Sequence, residues 1–407
     1  MKPVSRLWLT FLLVVVLALF LQGCSSGKEV KETSAVENET AVEAETVDYT
    51  PQNDVEAYYK EVMPGKFKMW KESAHGRNGV TCSVCHEDLK DNKLPAEKLV
   101  YNGEFDTVKP ETCAKCHQKE YEGWKNTRHV QAVEFSKKNV RYHLLDGYPA
   151  MQVLGCKSCH EKVAKTCSSC HTVHSTELPK PPLNITNGCE NCHMGPDHPQ
   201  REAFESSKHH QVALATGEPT CITCHTTEEN RHEIFRIKGT EDHGRTKMLQ
   251  NCQNCHSREF AEDALAKVDE IKKETNRIID EARKIIQGLY RDGILKPSPG
   301  SLLDENGMPM LNAKGTSYSH VSHIESLMFE LFKYAGATAI KGAQHFAPDY
   351  AHWHGNADLW QKYLEIKNEA ERLRLEAKLK EKLGIETEEY PMFKYSQETG
   401  KELQDLN

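Results

Sequence analysis

Seven Cys-x-x-Cys-His motifs carry the chemistry of this chain. They begin at Cys82, Cys113, Cys156, Cys167, Cys189, Cys221 and Cys252. Two thiols at this spacing form thioethers with the two vinyl groups of one haem, and the adjoining histidine becomes an axial iron ligand. The attachment residues are then Cys82, Cys85, Cys113, Cys116, Cys156, Cys159, Cys167, Cys170, Cys189, Cys192, Cys221, Cys224, Cys252 and Cys255. The proximal ligands are His86, His117, His160, His171, His193, His225 and His256. Zinc and disulfides also use paired cysteines, but neither needs a histidine fixed at the next position, and every pair here has one. The implied cofactor is seven covalently bound haems c, with their iron.

The second axial position of each iron decides what it can do. An iron held by two histidines is suited to electron transfer, whereas one lacking a second protein ligand can bind substrate. The chain has 21 histidines, so fourteen remain after the motifs are satisfied. One open iron would require six of them, and the arithmetic alone does not force an open site. His75 precedes the first motif and His129 follows the second by about one short helix. His174 lies three residues after His171, on one face if this stretch is helical, and so cannot cap its neighbour's haem; it is expected on a different iron. His209 and His232 are expected in loops between later motifs, and His345 in the carboxy-terminal helical region. Each of these also reads as an exposed or catalytic histidine. His143, His210, His243, His320, His323, His352 and His354 are weaker candidates. The third and fourth motifs begin only 11 residues apart, so their haems are expected to stack or touch edges.

The elements that must position these groups follow from composition and periodicity. Residues 1–24 carry Lys2 and Arg6, an apolar run and then Leu-Gln-Gly-Cys, the pattern of a secretory leader. Its end resembles a bacterial lipobox, which implies cleavage before Cys24 and acylation of its thiol; an uncleaved anchor is the alternative. Either places the rest of the chain outside the cytoplasm; the expected lipid anchor puts it in the bacterial cell envelope, outside the cytoplasmic membrane, on the periplasm side or at the cell surface. No later segment is apolar enough to span a bilayer. Residues 25–54 read as a flexible acidic tether. The net charge of -8, with no basic stripe, argues against a nucleic-acid partner.

Residues 55–260 hold all seven motifs, so haem must supply much of the apolar interior, wrapped by short helices and loops. From about Ala261 the pattern changes. Leu265, Val268, Ile271, Ile278, Ala282, Ile285 and Leu289 recur at helical spacing, and Lys296-Pro-Ser-Pro-Gly ends the run. Further helices are expected at about Ile324–Ala343 and Asn356–Leu383, with a region at 261–390 and a tail at 391–407. The expected fold is mostly α, a multihaem cytochrome c with a haem-packed core and long carboxy-terminal helices.

The runs GCKSCHEKVAKTCSSCHTVHS, GCENCHMGPDHPQREAFESSKHH, TCITCH, NCQNCHSREFAEDAL and HFAPDYAHWHG resemble the multihaem hydroxylamine oxidoreductase family across most of residues 65–375. That resemblance implies a mostly helical fold related to pentahaem nitrite reductases, eight haems in typical members, and trimers. It marks the haem on Cys156 and Cys159, with His160 proximal, as catalytic, and Asp197 and His198 as the groups above it. It also supports His129, His174, His209, His232 and His345 as distal ligands. Two features depart from the family. The outermost amino-terminal haem motif is absent, although Trp70-Lys-Glu-Ser-Ala-His75 remains recognisable. The tyrosine that oxidising members bond to the catalytic haem aligns with Trp353, and Tyr350 is out of register by three residues. The resemblance is therefore to a reductive, seven-haem variant.

The expected function is reduction of hydroxylamine, nitrite or both to ammonia, with electrons from a quinol-linked or soluble cytochrome and Asp197 and His198 moving protons. A homo-oligomer, trimeric by resemblance, is expected. The alternatives are oxidation of hydroxylamine to nitric oxide or nitrite, and a non-enzymatic electron-transfer cytochrome with every iron capped.

Overall fold

The computed structural model of the chain describes residues 47–86, 89, 108–137, 150, 153–172, 174–175, 188–235, 243–296 and 322–385. The chain divides between Thr46 and Val47, and all described residues belong to the second unit. The leader with Cys24, the tether up to Thr46 and the 391–407 tail lie outside the described residues. So do His143, His320 and the side chain of Cys156.

Helices dominate the described residues, which form no strand; Thr226 and Ile234 make an isolated antiparallel bridge. The first pair, α1 (Asp54–Val62) and α2 (Pro64–Glu72), begins with the Asn53 side chain accepting from the Glu56 amide. Such a cap satisfies one of the orphan donors of the first turn. Glu56 and Lys71 then form a buried ion pair, 3.6 Å apart, that ties α1 to α2.

Short helices follow between the motifs, including α3 (Gln118–Lys125), α4 (Gln200–Glu205), α5 (Lys208–Thr216) and α6 (His243–Cys252). Among the described residues ordinary apolar packing is thin here: the cluster they form in this part of the chain is Phe204 with Ala213.

The conventional core lies beyond it. Helix α7 (Arg258–Arg291) runs for 34 residues, starting three residues earlier than its apolar pattern suggests, because Ser257 caps it by accepting from the Phe260 amide. It ends where Gly293, at φ +70°, lets the Ile294 amide reach back to the Leu289 carbonyl, a glycine-terminated C-cap. Helix α8 (His323–Glu330), a π turn (Leu331–Ala335) and α9 (Gly336–Gln344) form one continuous rod. A second π turn (His352–Asn356) leads into α10 (Ala357–Leu383).

Ile278, Ala282, Ile286 and Leu289 of α7 pack with Ile324, Met328 and Leu331 of the rod and with Leu359, Ile366 and Ala370 of α10. Each large side chain of this kind contributes about 1.5–3 kcal/mol on burial. Ile271, placed on the apolar face by its spacing, is 42% exposed. Leu265 and Val268 before it and Thr275 after it are buried, so the exposure is local to Ile271. Small residues set the closest approaches. A Cβ on Gly342 would lie 2.6 Å from the Ala351 backbone, and one on Gly355 would lie 2.4 Å from that of Ala339. The expected fold class and long carboxy-terminal helices are thus present. No helix among the described residues is long and apolar enough to cross a membrane.

Candidate haem-binding and reaction site

Six motif histidines each face one histidine from elsewhere in the chain. Ring centres are 5.8 Å apart for His117 and His75, 6.3 Å for His86 and His174, and 6.1 Å for His193 and His129. They are 6.0 Å apart for His171 and His232, 6.1 Å for His256 and His209, and 6.4 Å for His225 and His345. An imidazole nitrogen binds a metal at about 2 Å and its ring centre lies about 1 Å behind, so two imidazoles across one iron stand about 6 Å apart. All six pairs fit that requirement. The six non-motif partners are the six distal candidates named from the sequence.

Local structure explains how these rings are presented. His75 lies in the short helix Ala74–Arg77, capped by Ser73. His129 sits in the turn after α3. His174 is not on a helix with His171: its backbone is left-handed, at φ +70°, and this turn directs it to His86. His209 lies within α5 rather than in a loop, because Ser207 caps that helix through the His210 amide. His232 is in a turn, where its amide donates to the Asn230 side chain. His345 closes α9, and its Nδ1 donates to the Lys341 carbonyl at 2.8 Å. That bond leaves Nε2 free for a metal, the usual arrangement of a ligating histidine.

Desolvation lowers the pKa of His174, His193, His225 and His345 to about 4 in each case. The facing histidine adds to the effect for the first three. A neutral imidazole is the form that ligates.

Among the described residues, His160 has no histidine ring at the iron-spanning distance. Its surroundings are different. Desolvation lowers its pKa, His198 adds to this, and Asp197 and Lys333 are close enough for their charges to act on it. The Asp197 and His198 side chains are hydrogen-bonded through Oδ1 and Nδ1, and Lys333 Nζ lies 3.2 Å from Asp197 Oδ2. Burial pushes the Asp197 carboxyl up, but the His198 hydrogen bond and the Lys333 charge outweigh it and hold the group well below the usual carboxylate range.

The turn carrying this pair is shaped by Gly195, at φ +94°, whose amide donates to Glu202 Oε1 at 2.8 Å. Sequence reasoning found Asp197 and His198 but missed Lys333. The signal that could have revealed it is a lone cation between Leu331-Phe332 and Tyr334-Ala335 in an apolar helix. Trp353 is 64% exposed, and Tyr350 packs against His354 with ring centres 5.4 Å apart.

The cysteines trace the order of the motifs in space. Cys85 of the first motif is near Cys113 and Cys116 of the second, and Cys113 contacts Cys167 of the fourth. Cys170 is near Cys189 of the fifth, which contacts Cys221 of the sixth. Cys224 is near Cys252 and Cys255 of the seventh. Cys159 of the third motif contacts Cys192 of the fifth, a neighbour that chain proximity did not foresee.

A family model described as "Seven times multi-haem cytochrome CxxCH" matches residues 78–221 and 227–300, more than half of the chain. A probable nitrite reductase-hydroxylamine oxidoreductase fusion protein of Kuenenia stuttgartiensis is 24% identical over 466 aligned positions, covering 81% of this chain and 52% of the relative. The chain therefore spans about half the length of that curated relative. Among solved structures, a reducing HAO-like protein complex of Kuenenia stuttgartiensis matches with a TM-score of 0.64 at 20% identity, over 80% of this chain and 86% of that one. A hypothetical multiheme protein matches with a TM-score of 0.62 at 15% identity, over 82% of this chain and 98% of that one.

Proposed function

Because the chain belongs to this multihaem cytochrome family, binds c-type haem covalently and is related to hydroxylamine oxidoreductase and nitrite reductase proteins, we propose that it reduces hydroxylamine, nitrite or both to ammonia. The reaction site is the haem attached at Cys156 and Cys159 and held by His160. The observation that carries this reading is the contrast between six motif histidines with an opposing ring and His160, which has Asp197 and His198 nearby instead.

When bound, that haem supplies electrons and a coordination position for the nitrogen atom. The protein supplies protons and alignment. Hydroxylamine takes up two electrons and two protons to give ammonia and water; nitrite takes up six electrons and seven protons to give ammonia and two waters. Asp197 accepts a hydrogen bond from the Nδ1–H of His198, so Nε2 is the atom that would take up a proton and pass it on. The six histidine pairs would hold irons on both faces, which would suit those haems to electron transfer. The cysteine contacts would place the haem of the fifth motif between both ends of the series and the haem held at Cys159, through Cys192, so it would be the one to pass electrons to the reaction site. Seven haems, with the distal set His75, His129, His174, His209, His232 and His345, belong to this proposal.

The proposal extends to the cell envelope and to assembly. Lipidation at Cys24 would hold the chain outside the cytoplasmic membrane, residues 25–54 would tether it, and a quinol-linked or soluble cytochrome would donate electrons. Residues 55–260 would form the haem domain and 261–390 the helical region. Homo-oligomerisation is supported by Trp360, Leu364, Leu375, Leu379 and Leu383 of α10, all exposed; apolar patches of this kind mark interaction surfaces.

The test is turnover with a reduced viologen donor and each substrate in turn, with ammonia measured. Ammonia from either substrate is expected. Failure with both, or hydroxylamine oxidation with an oxidised acceptor and a haem peptide covalently bound through Tyr350, would overturn the reductive reading.

A further inference from the structure

We propose that Lys333 is a positioning residue for proton transfer at this site: its ammonium holds one oxygen of Asp197 so that the other keeps the His198 imidazole in one tautomer and one orientation. The inference rests on the reading of the His160 site given above.

Asp197 and His198 are adjacent on a short turn, and adjacency does not fix how their side chains meet. A carboxylate with one partner can rotate about its last torsion. Here each oxygen has its own partner, His198 Nδ1 on Oδ1 and Lys333 Nζ on Oδ2 at 3.2 Å. The second partner comes from a rigid support. Lys333 sits in the π turn Leu331–Ala335, where Leu331 and Ala335 are buried in the helical core. A π turn inserts one residue into a helix and changes the direction of the side chains around it, and such turns are frequent at functional sites. In this rod it presents a lysine from a stretch otherwise given over to core packing.

The pair is also placed where its charge matters. The Lys333 side chain is 22% exposed and that of Asp197 31%, so water screens their charge-assisted bond only in part. The His198 hydrogen bond and the Lys333 charge together hold Asp197 as an anion and therefore an acceptor. An accepting carboxylate requires a proton on His198 Nδ1, so Nε2 is the ring atom left to take up or give a proton or hydrogen bond. An isolated ion pair contributes little to stability, whereas one that fixes a proton carrier acts on the chemical step.

The experiment uses the haem-loaded protein, with haem content checked in every variant, and compares Lys333→Met, Lys333→Arg, Asp197→Ala and the Lys333→Met/Asp197→Ala double variant. Fluoride, which takes a hydrogen bond from a nearby donor, is titrated into the oxidised protein and followed by its absorption spectrum. Lys333→Met should weaken fluoride binding about tenfold, Lys333→Arg should stay within about threefold of the parent, and the double variant should be no weaker than Asp197→Ala alone, since coupled residues are non-additive. In turnover, Lys333→Met should lower kcat about tenfold with KM nearly unchanged, the pattern of an interaction made in the transition state.

A Lys333→Met protein equal to the parent in both assays overturns the positioning role and leaves the reductive reading standing. Additive losses in the double variant also overturn it, because Lys333 would then act on the anion directly. If neither nitrogen substrate turns over but fluoride binding follows the predicted pattern, the reductive reading fails and the positioning role stands. If fluoride causes no spectral change in the parent, the haem has no open face and both fall.

Discussion

His345 and His225 stand with ring centres 6.4 Å apart, and His345 is fixed from behind by its Nδ1 bond to the Lys341 carbonyl. The carboxy-terminal helices therefore supply the group that opposes the sixth motif. With His345 as the proposed distal ligand, removing it would leave one face of that iron open. His345→Ala should raise the number of high-spin haems by one over the parent, as read by magnetic circular dichroism or electron paramagnetic resonance. An unchanged spectrum would mean that His345 is not an axial ligand.

The same ring depends on a close helix contact. Gly342 lies one turn before His345 and meets the Ala351 backbone, which cannot move aside as a long side chain could. Gly342→Val should destabilise the protein by about 1–3 kcal/mol, the usual cost of overpacking. It should also weaken low-spin character at the His345 haem. Thermal unfolding followed by far-ultraviolet circular dichroism, with the absorption spectrum recorded in parallel, checks both.

Replacing Asp197 or His198 with alanine should cut turnover about 100-fold, within the range of general acid–base catalysis. Asp197 is already ionised at neutral pH, its folded pKa lying below the ordinary carboxylate value. Stabilisation from a depressed carboxylate is present above its unfolded pKa and fades only as pH falls through the folded one. The ratio of parent to Asp197→Ala activity should therefore stay constant between about pH 6 and 8. Stopped assays for ammonia across that range test it, and a ratio that changes steeply would assign the titration to Asp197.

How much of this was legible in the chain differs from group to group. The proximal ligands are set by a five-residue motif, a local covalent requirement that sequence states outright. The six histidines at the iron-spanning distance are scattered from His75 to His345; their places around the motifs and in the carboxy-terminal region suggested them, and the family resemblance supported all but His75. His174 shows the limit: its left-handed backbone cannot be read from a pattern that assumes a helix. The sequence reading places His209 in a loop between motifs, whereas Ser207 starts a helix there. The sequence marks Lys333 only as a cation in an apolar stretch; its partner Asp197 lies far away in the chain and a π turn decides where it points.

The outer face of α10 supports a further expectation. Leu375 and Leu379 are 69% and 55% exposed, one helical turn apart on a helix otherwise laced with ion pairs such as Arg372–Glu376 and Lys380–Glu376. The full chain should run as a trimer in analytical ultracentrifugation. The double variant Leu375→Glu/Leu379→Glu should shift it to monomer while leaving the haem spectrum intact. A monomeric parent would contradict this reading.

The central claim is an open coordination position at the His160 haem beside six irons closed on both faces. Quantitative electron paramagnetic resonance of the oxidised, fully loaded protein tests it most directly. The account predicts one high-spin haem for every six low-spin haems with two histidine ligands, and loss of the high-spin signal when cyanide is added. Low-spin signals from every iron before any ligand is added would contradict it.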